Sequence, residues 1–306
     1  MKGRRGGGTT GGTTMDNGAS NGAIPDNPAG YVCLTFDFDG PSLWIARRQT
    51  TPSPISRGEF GAVAVPRILK LLAKHDIPST FFIPGHSIDT YPEAARMVVD
   101  AGCEVGLHGY AHEYNPRLSE DEERAILERT FAQIETLTGA PPKGYRAPSG
   151  DINPWTIDLL LEYGLSYDSS LMGHDYAPYW LRTGDRFPTD GPMEFGPNVD
   201  LVELPFSWHL DDYVHLEFVT FKNTILTGLE NPGTMFDTFL SDVKWMVNEV
   251  EHGVCTVTFH PQAIGRGGRL YEMERWIEQM TDLGVSYTRM CDVAEAWRAG
   301  RPLGVE

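Results

Sequence analysis

Along the chain, short apolar runs rich in β-branched residues alternate with stretches of helical period. The runs predict strands at residues 31–36, 79–83, 103–107, 201–204, 254–259 and 285–287. Helices are predicted at residues 63–75, with Pro66 in the first turn, and at 91–101, 236–250 and 270–283. Further helices are predicted after the capping signals Ser119/Glu122, Asn153-Pro154 and Asp292/Glu295. Roughly seven such units predict an α/β fold, a distorted (β/α) barrel.

Two segments depart from this alternation. Residues 1–29 are almost entirely Gly, Thr, Asn, Ser and Ala, so they predict a disordered tail ahead of a domain at residues 30–306. Residues 168–200 form a long stretch rich in Pro, Gly, Asp and Tyr, typical of a functional loop. The aromatic residues of this loop predict a lid over the site; the alternative is a satellite hydrophobic cluster packed on the barrel.

Composition narrows the class of function. The chain has 306 residues, and its 42 acidic against 25 basic side chains give a net charge of −17, which disfavours nucleic acid and anionic lipid as partners. Neither a membrane span nor the apolar core of a secretory signal is present in the sequence. The four cysteines are widely spaced and suit reduced thiols, so we expect a cytoplasmic protein.

Two aspartates follow the first predicted strand, in Asp37-Phe38-Asp39-Gly40. The carboxyl ends of strands line the active sites of α/β folds. Two carboxylates this close raise each other's proton affinity unless a cation neutralises one of them. A metal ligand and a general base are therefore expected here, and a plain Asp-Gly turn is the alternative.

Two histidines four residues apart, His108 and His112, follow another predicted strand. One helical turn would place both imidazoles on one side, where with one of the two aspartates they could hold a metal ion and leave positions open for water and substrate. Imidazole ligands favour Zn²⁺ or another divalent transition metal. After later strands, Arg146 could pair with the other aspartate, and His260 could donate a proton to a leaving group. Surface or capping roles are the alternatives.

Taken in order, these motifs resemble those of the polysaccharide deacetylase family, also called NodB-like deacetylases or carbohydrate esterase family four. The resemblance covers residues 30–298 and rests on five motifs: Thr35–Gly40, His108–His112, Arg146–Gly150, Tyr167–Leu171 and Phe259–Pro261. It implies a NodB-like fold, Asp37 as base, Arg146 as its tether and His260 as acid. It also implies Asp39, His108 and His112 as metal ligands.

Further features resemble the cytoplasmic branch that holds allantoinases, cyclic imide hydrolases and peptidoglycan-deacetylase-like proteins. They are residues 55–60, 84–87 and 170–172, together with Glu203-Leu204-Pro205, Trp208 and Asp211-Asp212. Phe38 separates the two aspartates, which are adjacent in exported members of the family, and this weakens the inference of a polymer substrate. The branch implies a homo-oligomer, and we expect substrate to be bound by Arg57, Glu59, His86, Trp208 and Asp211.

The sequence thus predicts a metal-dependent hydrolase of non-peptide C–N bonds. A small cyclic imide or ureide is the first expectation for the substrate, and an N-acetylated sugar or peptidoglycan is the alternative. A more distant alternative is a magnesium-dependent phosphatase of the dehalogenase type, since a strand followed by Asp37-Phe38-Asp39-Gly40 is also the opening motif of that family. That alternative would leave the three histidines without a role.

Overall fold

The computed structural model describes residues 24–26, 28–221, 224–226 and 228–305. Its strands are β1 (Tyr31–Asp37), β2 (Thr80–Ile83), β3 (Glu104–Leu107), β4 (Gly144–Tyr145), β5 (Tyr167–Asp168), β6 (Tyr179–Arg182), β7 (Asn198–Glu203), β8 (Val219–Phe221), β9 (Thr224–Leu226), β10 (Val254–Phe259) and β11 (Ser286–Tyr287). Its helices are α1 (Ser42–Ala46), α2 (Pro52–Lys74), α3 (Gly85–Thr90), α4 (Pro92–Asp100), α5 (Glu120–Thr138), α6 (Thr156–Glu162), α7 (Asp212–Leu216), α8 (Pro232–Glu249), α9 (Pro261–Ile264), α10 (Gly267–Asp282) and α11 (Met290–Arg298).

The main sheet follows the order β10-β1-β2-β3-β4-β5-β7-β6, with β11 also paired to β1. Every pairing in it is parallel except the antiparallel edge pair of β6 and β7. No ladder joins β6 to β10 within the described ranges, so the sheet is a curled half-barrel rather than a closed barrel. The predicted α/β fold is confirmed, and the main sheet has more strands than the six predicted because β4, β5 and β6 also join it.

β1 lies inside the sheet and is buried along its whole length. Its residues pair with β10 from Tyr31 to Phe36 and with β2 from Thr35 to Asp37. A strand buried on both faces reads as a continuous apolar run, which is why the sequence predicted it so closely. The strand stays buried to its last residue, Asp37, and Asp39 after it is buried too, so both aspartates lie in a site shielded from bulk water.

Three helix starts differ from their predictions. Helix α2 begins at Pro52, so Pro66 lies in its interior; residues 53–59 are mostly polar and carry no apolar period. Helix α6 begins after Trp155, because the Asn153 amide instead donates to the Asn115 carbonyl oxygen and the Glu123 carboxylate. Helix α11 begins at Met290, where Asp292 pairs with Arg289 and forms no capping box. The capping box of Ser119 and Glu122 is confirmed.

The predicted tail of residues 1–29 lies largely outside the described residues. The part of the tail that the structure describes packs on the domain. Ile24 is buried, and the Arg301 Nη1 donates to the Ile24 carbonyl oxygen at 2.9 Å. Contact with the domain therefore begins before residue 30. Within the described part of the chain, no helix is both long and apolar enough to cross a bilayer.

Candidate metal centre

Polar side chains gather where parallel strands of the sheet end. Asp37 ends β1 and Asp39 follows it, His108 comes directly after β3, and His260 comes directly after β10. Parallel strands bring their carboxyl ends to one edge of a sheet. All four side chains are buried, with exposed fractions of 7% or less. The sheet order thus joins motifs that are far apart in sequence.

Asp39, His108 and His112 offer one ligand atom each within 4.8 Å of one another. The His108 Nε2 lies 3.4 Å from the Asp39 Oδ1, and the His112 Nε2 lies 3.8 Å from the Asp39 Oδ2. The Asp39 Oδ1 and the His108 Nε2 are buried and have no hydrogen-bond partner within the described ranges. Buried polar atoms rarely lack a hydrogen-bond partner, so these two unpartnered atoms fit a divalent cation held by the three side chains.

The tautomer of His108 suits a metal ligand. Its Nδ1–H donates to the carbonyl oxygen of Arg146 at 2.8 Å, which leaves the Nε2 lone pair directed toward Asp39. A hydrogen bond of this kind fixes the ring orientation of many metal-binding histidines.

The electrostatics also suit a cation. Burial opposes the charge of Asp39, but His112, His108 and His260 outweigh burial and lower the Asp39 pKa. Burial lowers the pKa of His112 to about 4, so this imidazole is neutral and its lone pair is available near pH 7.

The two histidines do not lie on a helical turn, contrary to the sequence prediction. The chain from His108 to His112 is a loop in which Gly109 and His112 both have positive φ, of 65° and 57°. Within it, the Glu113 carboxylate accepts hydrogen bonds from the backbone N–H groups of Tyr110 and Ala111, each at 2.9 Å. A non-glycine residue in this backbone region is strained, and such strain is typical of functional sites. The loop, not a helix, brings the imidazoles together.

Asp37 is paired with a buried arginine. The Arg146 Nη1 donates to the Asp37 Oδ1 at 2.9 Å and to the Thr35 hydroxyl at 2.8 Å. Of the remaining guanidinium N–H groups, Nε donates to the Ser169 carbonyl oxygen at 3.1 Å, and Nη2 donates to the Ser169 hydroxyl at 2.9 Å and to the Met290 Sδ at 3.9 Å. The ring of Phe82 lies 4.3 Å from the guanidinium carbon. The second carboxylate oxygen of Asp37 thus stays directed toward the cavity, 3.8 Å from the His108 Nε2.

His260 is oriented by an aspartate. The Asp212 Oδ1 accepts hydrogen bonds from the Nδ1 of His260 at 2.8 Å and from its backbone N–H at 2.9 Å. The His260 Nε2 faces the Asp39 Oδ2 at 3.8 Å. Burial opposes the imidazolium charge, but Asp211 and Asp212 outweigh burial and raise the His260 pKa well above its usual value. A protonated imidazole at this position is able to donate a proton.

A narrow cavity of about 50 Å³ lies between these groups, enough for one or two water molecules or a small substrate group. Of the residues expected to bind substrate, Trp208 and Asp211 line it. Arg57, Glu59 and His86 do not. The Arg57 guanidinium is bound to the Glu217 carboxylate and to the Phe218 carbonyl oxygen; Glu59 is exposed on α2, and His86 contacts Thr90 and Tyr110.

Several residues of the site carried no signal in the sequence. Leu43, Arg47, Phe206 and Tyr213 also line the cavity. The Arg47 Nη1 donates to the Tyr213 hydroxyl at 3.1 Å. These four residues lie outside the recognisable motifs, so only the fold brings them to the site.

Two buried carboxyl groups, Asp168 and Glu203, support the loop whose Ser169 binds Arg146. Asp168 and Glu203 face each other in the register of β5 and β7, and both are fully buried. The Glu203 Oε1 accepts hydrogen bonds from the backbone N–H groups of Ser170 at 3.0 Å and Leu171 at 2.9 Å. Burial raises the pKa of Asp168 to about 6 and that of Glu203 well above its usual value. Glu203, together with the Asp168 Oδ1 that accepts a hydrogen bond from the Ser170 hydroxyl at 2.7 Å, fixes the loop that carries Ser169.

The aromatic segment that was expected to form a lid does not cover the cavity. Residues 169–197 are all described, and none of them lines the 50 Å³ cavity. Tyr179 and Trp180 lie in β6 at the edge of the sheet, Tyr176 is buried in the hydrophobic core, and Phe187 and Phe195 are exposed. The segment extends the sheet and forms neither the expected lid nor a separate satellite cluster.

A larger groove opens beside the cavity. It measures about 560 Å³ and is lined in part by Arg47, His112, Tyr114, Arg117 and Ser149. Arg47, His112 and Ser149 line both spaces, so the groove is continuous with the metal-side cavity. We refer to it as the outer groove.

Similar proteins place this chain in a family. The polysaccharide deacetylase family model matches residues 25–167. A peptidoglycan deacetylase of Helicobacter pylori is 35% identical over 285 residues, covering 89% of this chain and 97% of that protein. A crystal structure from Mycobacterium smegmatis, assigned as a polysaccharide deacetylase, shares 35% identity with a TM-score of 0.77 and covers 93% of this chain and 95% of that chain. An allantoinase structure shares 22% identity with a TM-score of 0.73, covering 91% and 93%, which shows the fold alone.

Proposed function

Because the chain belongs to the polysaccharide deacetylase family, whose members are metal-dependent hydrolases of non-peptide C–N bonds, we propose that it removes acetyl groups from N-acetylated sugars of peptidoglycan or its fragments. The observation that carries this proposal is the buried Asp37–Arg146 pair beside the Asp39, His108 and His112 cluster. A carboxylate base paired with an arginine next to a cation site is an arrangement suited to amide hydrolysis by water.

Asp39, His108 and His112 would hold the cation, and one carboxylate with two imidazoles suits Zn²⁺ or another divalent transition metal. When bound, the cation would supply Lewis-acid activation of the acetyl carbonyl group and of the attacking water. Three protein ligands leave room for both.

Asp37 acts as the general base. Arg146 occupies its Oδ1, so the Oδ2 faces the cavity and accepts a proton from the attacking water. The guanidinium also places a positive charge beside the carboxylate in its buried surroundings. As the water oxygen bonds to the acetyl carbon, the proton passes to Asp37.

His260 acts as the general acid. Asp212 holds the Nδ1, so the protonated Nε2 faces the cavity, where it donates a proton to the sugar nitrogen as the C–N bond breaks. An amine leaves poorly unless it is protonated, so this role matters more for an N-acetyl amide than for an imide. The products are acetate and the free amino sugar.

The choice of an N-acetylated sugar over a cyclic imide or ureide reverses the first sequence expectation. The sequence relatives are deacetylases, and the allantoinase likeness is one of fold. The wide outer groove suits a substrate larger than a compact heterocycle. Membership of the family leaves no support for the phosphatase alternative. We treat residues 30–306 as one catalytic domain; self-association and a cytoplasmic location stay predictions.

The test is metal analysis of the purified protein followed by assays of acetate release from N-acetylglucosamine oligomers and peptidoglycan fragments. Succinimide, hydantoin and allantoin are assayed in parallel, with Asp37→Asn as the inactive reference. Acetate release that depends on metal and on Asp37 supports the proposal. Turnover of the imides alone would refute the substrate assignment.

A further inference from the structure

The outer groove lies where the remainder of a bound substrate must go. The cavity at Asp39 has room for only a small group, whereas the adjoining groove is about ten times larger, at 560 Å³ against 50 Å³. Arg47, His112 and Ser149 line both spaces. A sugar whose acetamido group enters the cavity therefore places its neighbouring substituents in the groove.

Two arginines border this groove without a carboxylate partner. The Arg47 Nη1 donates to the neutral Tyr213 hydroxyl at 3.1 Å, and the Arg117 guanidinium lies over the Tyr114 ring at 5.4 Å. Within the described ranges, neither guanidinium has a carboxylate oxygen within 4.0 Å. Both side chains are exposed in the groove, so their N–H groups remain free to bind a ligand.

Among the residues that line the groove, basic side chains outnumber acidic ones, Arg47 and Arg117 against Glu113, and the Asp151 carboxylate beside it accepts a hydrogen bond from the Tyr114 hydroxyl at 2.8 Å. The chain carries a net charge of −17, and many of its other arginines form ion pairs, such as Arg124 with Glu120 and Arg298 with Asp200. The acidic side chain on the groove wall, Glu113, is bound by two backbone N–H groups. Two unpaired guanidinium groups in such a protein favour an anionic ligand, and the planar guanidinium fits a carboxylate with two parallel hydrogen bonds.

We infer that the outer groove is a subsite for a carboxylate carried by the substrate, bound by Arg47 and Arg117. This inference rests on the proposed function and specifies the substrate class: N-acetylated sugars with an acidic substituent near the acetamido group. Two sources supply such a carboxylate in a peptidoglycan fragment. One is a lactyl ether on the sugar ring, and the other is a peptide attached through that ether.

The experiment compares each acidic substrate with its neutral amide. The substrates are an N-acetylated disaccharide with a free lactyl carboxylate, the same disaccharide with the carboxylate amidated, and the corresponding peptide-bearing pair. In the wild type, KM should be at least about fivefold lower for the acid than for the amide in one of the two pairs, and that pair identifies the source.

The variants are Arg47→Gln, Arg117→Gln and the double variant, with Arg96→Gln as the control that removes an exposed positive charge on α4, outside the groove. The double variant should raise KM for the acid about tenfold and change KM for the amide much less. Arg96→Gln should keep the wild-type preference.

Two outcomes overturn the inference. They are an equal KM for acid and amide in the wild type, and an equal rise in both KM values in the double variant. Failure of the proposed function is distinguishable, since it would abolish acetate release from every substrate. In that case, calorimetry of the acidic and amidated disaccharides with the wild type and the double variant decides on the subsite, because binding needs no turnover.

Discussion

The Arg146 guanidinium donates a 2.9 Å hydrogen bond to the Asp37 carboxylate at a place where both side chains are buried. The same guanidinium donates hydrogen bonds to Thr35 and Ser169, so three residues together fix its position. Arg146 follows β4 and Ser169 follows β5, so the orientation of the proposed base, Asp37, depends on the ends of these two strands.

We expect Arg146→Lys to lower kcat by about 10²-fold or more, because a lysine ammonium cannot bridge Asp37, Thr35 and Ser169 together. The free energy of unfolding should fall by about 3 kcal/mol as the buried Asp37 loses part of its compensation. Steady-state kinetics and urea unfolding measure the two effects. Arg129→Lys at an exposed ion pair is the matched control. Wild-type kcat in Arg146→Lys would contradict the tether.

His108→Ala should lose the bound metal and the activity together, because two remaining ligands hold a divalent cation poorly. The fold should persist, since the side chain contributes little to the apolar core. Metal content and circular dichroism test this expectation. His209→Ala, which removes an exposed histidine outside the cluster, serves as control. Full metal occupancy with normal turnover in His108→Ala would show that the ligand set is wrong.

Asp37→Asn should keep the metal yet lose at least about 10²-fold in kcat, because the amide preserves the shape of the side chain but accepts no proton. Asp39→Asn should instead weaken metal binding, since it replaces a carboxylate ligand with a weaker amide. Comparing metal content with kcat in the two variants separates the roles. The reverse pattern would mean that base and ligand have been exchanged.

Stability should depend on pH through Asp168. Burial raises its pKa to about 6, so between about pH 4 and 6 the folded protein holds a proton that the unfolded chain has released. This proton makes the free energy of unfolding fall as pH rises through that range. In Asp168→Asn the fall should be smaller, so the stability of the variant relative to wild type should rise from pH 4 to pH 7.

Urea unfolding at several pH values measures this difference, with Glu249→Gln as a control that removes an exposed carboxylate. A pH dependence in Asp168→Asn that parallels the wild type would show that Asp168 holds no such proton.

Glu203→Gln should preserve activity, because an amide oxygen still accepts the Ser170 and Leu171 N–H groups while its NH₂ group donates to Asp168.

Local chemistry determined most of what the sequence predicted correctly. The apolar run of β1, the capping box of Ser119 and Glu122, and the polar residues after strand ends depend on short-range rules of burial and hydrogen bonding. Those rules, with the edge that parallel strands share, sufficed to bring Asp37, Asp39, His108, His112 and His260 to one cavity. Where a local rule had two solutions, it failed: the four-residue spacing of His108 and His112 suits a helical turn, but the chain forms a loop.

The remaining features needed the tertiary structure. The packing of α1 and α2 near α7 places Arg47 beside Tyr213 and Arg57 beside Glu217, away from the cavity where Arg57 was expected to bind substrate. The sheet order sets Asp168 opposite Glu203 across 35 positions of sequence. The aromatic segment before β7 became a sheet edge rather than a lid for the same reason. A side chain's type and its near neighbours are encoded locally, whereas its partner across the sheet depends on which strands pair and in what register. The sequence determined the chemistry available at the site, and the pairing of the strands decided which side chains face one another.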